Sequence, residues 1–247
     1  MNTILITGGS RGIGAATALL AAKEGYAVAV NYLNNTRAAE GVVAQINNEG
    51  GTALSIQADI SKENEVGRLF RETQKKLGNI DVLVNNAGIL EQQMKFELMS
   101  LERLNRIFQT NIIGSWLCAR EAVKYMAVSK GGRGGAIINV SSIASKSGAP
   151  HEYIDYAVSK GAIDTFTTGL SKEIAGEGIR VNAVRPACIY TDIHSDGGEP
   201  ERVNRIKDHI PLKRGGYPTE VAEAILWLAS EKSSYCTGTF IDISGGL

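Results

Sequence analysis

Apolar and polar positions are arranged in two ways along this chain. Short, mostly apolar runs predict strands: Ile4-Leu5-Ile6, Ala27 to Val30, Ala53 to Ile56, Asp81 to Val84, Ala136 to Val140, Ile179 to Val184 and Thr239 to Ile243. Longer stretches between them have helical spacing. These are Ile13 to Glu24, stopped by Gly25; Thr36 to Glu49, closed by Gly50-Gly51; and a segment opened by Ser61, which reads as an N-cap. Leu101 to Val128, Tyr153 to Glu177 and Pro218 to Ala229 follow, the last with Pro218 in its first turn. Strands apolar on both faces that alternate with helices predict an α/β fold, a doubly wound parallel sheet of about seven strands covered on both sides. No repeat, linker or low-complexity segment divides residues 1–247, which therefore read as a single Rossmann-like domain with a small excursion at about 192–214.

Composition narrows the function classes. The 26 basic and 26 acidic residues cancel, and no long basic run exists, so non-specific nucleic-acid binding has no electrostatic basis. Cys118, Cys188 and Cys236 are widely spaced and give neither a disulfide framework nor a zinc site. No apolar window is long enough for a membrane span, and the first residues lack the basic and apolar regions of a signal peptide. A cytoplasmic protein without membrane or nucleic-acid partners is expected.

The first strand runs into Thr7-Gly8-Gly9-Ser10-Arg11-Gly12-Ile13-Gly14, which opens the first helix. Glycines there allow a tight turn and close approach of backbone N–H groups to an anion, aided by the helix dipole. The turn lacks the Gly-Lys-Ser/Thr ending of a P-loop and the G-x-G-x-x-G spacing of the commonest dinucleotide fingerprint. Dinucleotide sites in such sheets often carry a carboxylate after the second strand, on the adenosine ribose. Here that strand leads into Asn31-Tyr32-Leu33-Asn34-Asn35-Thr36-Arg37, with no carboxylate. Arg11 and Arg37 suit a 2′-phosphate, so the pattern favours NADP(H) and leaves NAD(H) open. Asn31 suits either.

Tyr156-Ala157-Val158-Ser159-Lys160 puts a phenol and an ammonium one helical turn apart. A tyrosine ordinarily titrates at about 10, and a neighbouring positive charge lowers that value. The pair therefore offers an acid/base group for work near neutral pH.

In order along the chain, Thr7-Gly8-x-x-x-Gly12-x-Gly14, Asp59-Ile60, Asn85-Asn86-Ala87-Gly88, Asn111, Ser141-Ser142, Tyr156-x-x-x-Lys160 and Pro186 to Thr191 together resemble the short-chain dehydrogenase/reductase family, and the resemblance covers nearly the whole chain. Within it, the sequence looks most like bacterial sugar (glucose-1-) dehydrogenase-like and 3-oxoacyl-carrier-protein-reductase-like members. The resemblance implies Tyr156 as acid/base, Lys160 as the residue that lowers its pKa and holds the nicotinamide ribose, Ser142 as the hydroxyl on the substrate oxygen, and Asn111 as the holder of a relay water. It implies cofactor contacts from Gly8, Ser10, Arg11, Gly12, Ile13 and Gly14. Further contacts are implied for Asp59 and Ile60 at the adenine, for Asn85, Ala87 and Gly88 along the adenosine ribose, and for Pro186, Ile189 and Thr191 at the nicotinamide. Ser141 competes with Ser142, and Asn85-Asn86 also suit a structural role in the sheet. A homotetramer is implied too, with Trp116, Leu117, Phe166 and Leu170 as candidate contacts or core residues.

Ala187 stands where the family usually has glycine; if that position needs a positive φ, alanine costs about 1 kcal/mol. His151 or Glu152 is expected to border the substrate, without a metal site. Asp192 to Arg214 reads as a mobile, polar lid suited to a small hydroxylated substrate. The expected reaction is hydride transfer between the cofactor and a secondary alcohol, sugar hemiacetal or carbonyl. A 3-oxoacyl-carrier-protein reductase, with Lys207, Lys213 and Arg214 as a modest basic docking patch, and a non-catalytic NADP(H) sensor are the alternatives.

Overall fold

The apolar runs become seven strands: β1 (Thr3–Ile6), β2 (Ala27–Tyr32), β3 (Thr52–Gln57), β4 (Ile80–Asn85), β5 (Gly135–Val140), β6 (Ile179–Pro186) and β7 (Phe240–Ile243). The structure, a computed structural model, describes residues 2–247. All neighbouring strands are parallel, in the order β3-β2-β1-β4-β5-β6-β7. Successive side chains of a strand point to opposite faces, and β1 shows the consequence. Ile4 and Ile6 enter one apolar core while Leu5 enters the other. Both faces are covered, which is why β1 carries no polar alternation.

The helices are α1 (Gly12–Lys23), α2 (Thr36–Asn48), α3 (Glu63–Leu77), α4 (Leu101–Phe108), α5 (Ser115–Met126), α6 (Ala144–Ser147), α7 (Ile154–Glu173), α8 (Ile193–Asp196), α9 (Arg202–Ile206) and α10 (Pro218–Ala229). Helix α1 packs on α10, and α3 on α5. The chain reverses its direction of winding between β1 and β4, which lie side by side. Such a switch point opens a crevice at the carboxyl ends of the strands.

Three expectations need correction. The helix foreseen from Leu101 to Val128 is two helices joined by a π-helical segment, Gln109–Gly114. The wider turn brings the Asn111 amide onto the backbone of Ile89, and a Cβ on Gly114 would meet Ile60 Cδ1 at 2.7 Å. Ser61 does not cap α3; Lys62 holds that position without a side-chain bond. The Ser61 hydroxyl instead donates to Asp59 Oδ1 at 2.7 Å, a charged and therefore stronger acceptor. Helix α7 stops at Glu173, and Ala175–Glu177 form a separate 3₁₀ turn closed by Gly178 at φ 71°. No helix among the described residues is long and apolar enough to cross a membrane.

Candidate active site

A cavity of about 890 Å³ occupies the crevice, with Gly8 and Asn31 at one end and Tyr153 and Arg202 at the other. At the first end backbone makes the wall. Gly8 (φ 62°) and Gly12 (φ 54°) adopt left-handed conformations, and a Cβ on Gly8 would sit 2.9 Å from Ala87 Cα. Gly8 is thus favoured by both backbone angle and space, and Gly12 by its backbone angle. Helix α1 starts behind Arg11 with no capping side chain and no carboxylate in its first turn. Its amide groups and dipole face the cavity, an arrangement that suits a phosphate. Thr7 joins the two loops at the switch point, its hydroxyl accepting from Asn86 N and Ala87 N at 3.0 and 3.1 Å. Asn31 joins the next pair, accepting from Gly8 N at 3.4 Å and donating to the Ala58 carbonyl at 3.0 Å.

Ser10, Arg11, Ile13, Asp59, Ile60, Ala87, Gly88, Pro186, Ile189 and Thr191, expected as cofactor contacts, also border the cavity. Burial raises the Asp59 pKa, but the Ser61 hydroxyl and amide together with Lys62 outweigh this and hold the carboxyl below its usual range. Four implied residues lie off the wall. Arg37 is exposed on the first turn of α2. Gly14 serves packing, since a Cβ there would meet Gly8 O at 2.4 Å and Asn86 Nδ2 at 2.6 Å. Asn85 is buried in the sheet and donates to Asn139 Oδ1 and the Ser115 carbonyl, so its side chain is structural. Asn111 is buried behind Gly88, bonded to Ile89 and donating to Ser159 Oγ at 3.0 Å. A methyl on Gly88 would lie 3.4 Å from Asn111 Oδ1 and 3.5 Å from Lys160 Nζ, which makes Gly88 the partition between that amide and the cavity.

Ser142, Tyr156 and Lys160 meet at the middle of the cavity. The two adjacent serines are distinguished by their partners. Ser141 is turned inward, donating to Asp164 Oδ1 at 2.7 Å, whereas Ser142 faces the Tyr156 phenol. Lys160 lies under the Tyr156 ring, with Nζ 5.5 Å from its centroid, and donates to the Val140 carbonyl at 2.7 Å. The expected lowering of the phenol pKa does not prevail here. Burial pushes Tyr156 up to about 12, against a lowering contribution from the Ser142 hydroxyl. Burial also brings Lys160 down to about 8, with the Asp164 carboxylate opposing. At neutral pH the phenol is therefore a proton donor and the lysine remains largely charged.

The far end is built from charged side chains. Arg202 pairs with Glu152 and Glu199, and Arg205 pairs with the same two carboxylates. The arginines hold Glu199 down to about 2, Arg205 most strongly, despite the opposing effect of burial. Arg11 reaches across from the glycine turn to Asp196 on α8. The 192–214 segment, expected to be a mobile lid, is thus tied to Glu152 and Arg11. His194 is buried in this wall, its Nε2 2.9 Å from the Ile189 carbonyl, and burial lowers its pKa. Glu152 borders the cavity, whereas His151 is exposed off the wall at φ 65°. Ala187 is absent from the residues of positive φ, so alanine there is unstrained.

Sequence reasoning named Thr7 in the glycine motif and His194 within the lid without giving either a role, and it did not single out Tyr153 or Arg202. Tyr153 carried a local signal, one helical turn before Tyr156, as Thr7 did by its place before the glycines. The others depend on long-range packing.

The chain as a whole has counterparts among known proteins. Residues 8–247 match the family described as enoyl-(acyl carrier protein) reductase. The chain is 58% identical over 246 residues to the uncharacterized oxidoreductase YgfF of Escherichia coli (strain K12), with both chains covered to 100%. It is 40% identical to a 3-oxoacyl-[acyl-carrier-protein] reductase of Synechocystis sp., covering 98% of this chain and 95% of that protein. Among solved structures, a short-chain dehydrogenase/reductase from Serratia marcescens superposes with a TM-score of 0.91 at 31% identity, covering 99% and 97% of the two chains. The 3-ketoacyl-(acyl-carrier-protein) reductase from Brucella melitensis complexed with NADH does so with a TM-score of 0.91 at 32% identity and the same coverage.

Proposed function

The chain belongs to the short-chain dehydrogenase/reductase family, oxidoreductases that act on CH–OH and C=O groups with nicotinamide cofactors, and on that premise we propose that it interconverts a small carbonyl compound with its secondary alcohol, or a sugar lactone with its hemiacetal, with NADP(H) preferred. The observation that carries this reading is the meeting of Ser142, Tyr156 and Lys160 in a cavity whose other end is a glycine-lined helix N-terminus. The dinucleotide would be held by the backbone of Gly8 to Ile13 at its phosphates, by Asp59 and Ile60 at the adenine, and by Pro186, Ile189 and Thr191 at the nicotinamide. When bound, it supplies or accepts the hydride. Tyr156, protonated at neutral pH, donates its proton to the oxygen that becomes negative, while the Ser142 hydroxyl stabilises the charge developing there. Lys160 keeps a positive charge beside the phenol, favouring the phenolate left behind. Asn111 would act through Lys160, as the resemblance implies.

The preference for NADP(H) is supported by the end of β2, where Asn31, Leu33 and Asn34 form the cavity wall and no carboxylate is present. Arg11, half-exposed at the rim, is the nearer candidate for a 2′-phosphate; it would have to exchange Asp196 for it. Titrating the protein with NADPH and with NADH tests this, and equal or tighter NADH binding overturns the preference.

A 3-oxoacyl-carrier-protein reductase is the second reading, favoured by the names of relatives that match over nearly the full chain. Against it, two of the three basic residues of the candidate docking patch are engaged: Lys213 donates to the Asp208 carbonyl and Arg214 pairs with Glu220, which leaves Lys207. A homotetramer has a candidate contact in Trp116, which is 53% exposed and stacked on Phe166 at 5.1 Å, while Leu117 is core. Solution mass measures that directly.

Nicotinamide absorbance followed with D-glucose, ethyl acetoacetate and an acetoacetyl thioester separates the readings. With whichever turns over, Tyr156→Phe is expected to lower kcat about 10³-fold and leave NADPH affinity within a few-fold. Near-normal turnover in that variant refutes the assignment. A protein that binds NADPH but oxidises or reduces none of a wide panel supports the sensor.

A further inference from the structure

Two fully buried charges lie beside the catalytic tyrosine, and the proton-transfer chemistry does not use either of them. Arg103 on α4 and Asp155 in the first turn of α7 are 3% and 2% exposed. Arg103 Nε donates to Asp155 Oδ2 at 2.5 Å and Nη2 to Oδ1 at 3.3 Å. Its remaining nitrogen, Nη1, donates to the Gln92 carbonyl at 2.6 Å. Asp155 Oδ1 also accepts the backbone N–H of Tyr156 at 2.9 Å. Helix α7 needs that bond, because Tyr153, its N-cap, supplies no side-chain acceptor and the first amides of a helix have no partner within it.

Three pieces of the active-site wall therefore converge on one ion pair. Helix α7 brings Tyr156. The stretch after β4 brings Ile89 and Leu90, which border the cavity. Helix α4 leads into the π-helical turn that carries Asn111. A guanidinium binds in a planar fork, so its geometry fixes the relative placement of both acceptors. Taking two charges out of water is costly, and an apolar pair of similar volume often serves stability as well or better. What the ion pair offers and an apolar pair does not is direction.

We propose that Arg103 and Asp155 are positioning residues, which orient the first turn of α7, and with it the Tyr156 phenol, against the stretch 89–92, whose Ile89 and Leu90 border the cavity. The inference rests on Tyr156 being the acid/base, but its structural part is measurable without any substrate.

The test is the double substitution Arg103→Met with Asp155→Leu, which removes both charges and puts apolar side chains of similar shape in their place. The expected result is a melting temperature and an NADPH affinity close to the parent's, faster hydrogen exchange at the Tyr156 amide, and a kcat lowered about tenfold or more on the probe substrates above. A double variant that keeps both the parent's kcat and its Tyr156 amide protection overturns the proposal. If it fails to fold, Asp155→Asn takes its place. Turnover lost out of proportion to melting temperature and NADPH affinity supports positioning; a parallel fall in all three, or no change in any, refutes it. If the parent turns over none of the probes, the functional reading is at fault, and amide exchange alone decides the inference: protection lost at unchanged melting temperature supports it, and protection retained overturns it.

Discussion

At the glycine turn the cavity wall is made of backbone; around α8 and α9 it is made of side chains held by one another. The first end tolerates almost no added atom. A Cβ on Gly8 or Gly14 would collide with main-chain atoms of Ala87 or of Gly8 itself. The second end carries a non-glycine residue in left-handed backbone, Ala149, and its shape depends on Glu152, Glu199, Arg202 and Arg205. A backbone wall suits a ligand whose phosphates are always the same, because N–H groups are present whatever the side chain. A wall of paired charges can be rewritten one residue at a time, which suits the part of the site that selects the substrate.

The sharpest way to break this contrast is to place one methyl group at the glycine turn and another on an open helix face as its control. Gly14→Ala gains about 1 kcal/mol of helix propensity, but its Cβ would press on Gly8 O and Asn86 Nδ2. Overpacking against backbone outweighs that gain, and a net loss of about 2 kcal/mol is expected, seen as a melting temperature lower by roughly 4–8 °C together with weaker NADPH binding. Gly41→Ala, on the exposed face of α2 with no atom within 4 Å of the new methyl, is the control and should stabilise by about 0.5–1 kcal/mol. Equal responses at the two sites would show that the glycine turn is not constrained as described.

The same contrast explains what could be read from the sequence. Strand β1 and the glycines after it were legible because short-range rules dictate them: a buried parallel strand must be apolar, and a left-handed turn against a neighbouring backbone favours glycine. Tyr156 and Lys160 were legible because helical spacing alone puts them on one face. Their pKa values were not, since burial against Val140 and Ser142 is a property of the assembled crevice. Asn85 illustrates the same limit. Its place in the motif is local, but its partners, Asn139 and Ser115, lie 54 and 30 residues away and make it a sheet residue. Arg202 and Arg103 are ordinary arginines until the fold gives them Glu152 and Asp155.

Acid should loosen the side-chain end first. Glu199 titrates at about 2 in the folded chain against an ordinary 4.5. Because the folded value is depressed, its contribution is fully present above about pH 4.5 and is lost as pH falls through that window toward 2. With Arg205 half-exposed, the contribution is about 1 kcal/mol. Hydrogen exchange at residues 193–206 should therefore accelerate between pH 4.5 and 2.5, beyond the intrinsic dependence of amide exchange on pH, while the strands stay protected. Glu199→Gln should show the looser segment already at pH 7 and remove the acid transition. A segment that opens together with the strands would mean the ion pairs are not what holds it.

The smallest effect belongs to Ala187, at the turn that follows β6 and borders the cavity. A glycine requirement there would make this turn resemble the phosphate end; alanine in ordinary backbone places it with the side-chain end. Its amide donates to the Ile243 carbonyl at 3.0 Å, and it is absent from the residues of positive φ. Ala187→Gly therefore relieves no strain and adds freedom to the unfolded chain. It should destabilise by about 0.5 kcal/mol and leave NADPH affinity unchanged. A glycine variant that melts higher or binds NADPH more tightly would show that the turn needs a left-handed residue during binding, and would move this turn to the backbone-built side of the comparison.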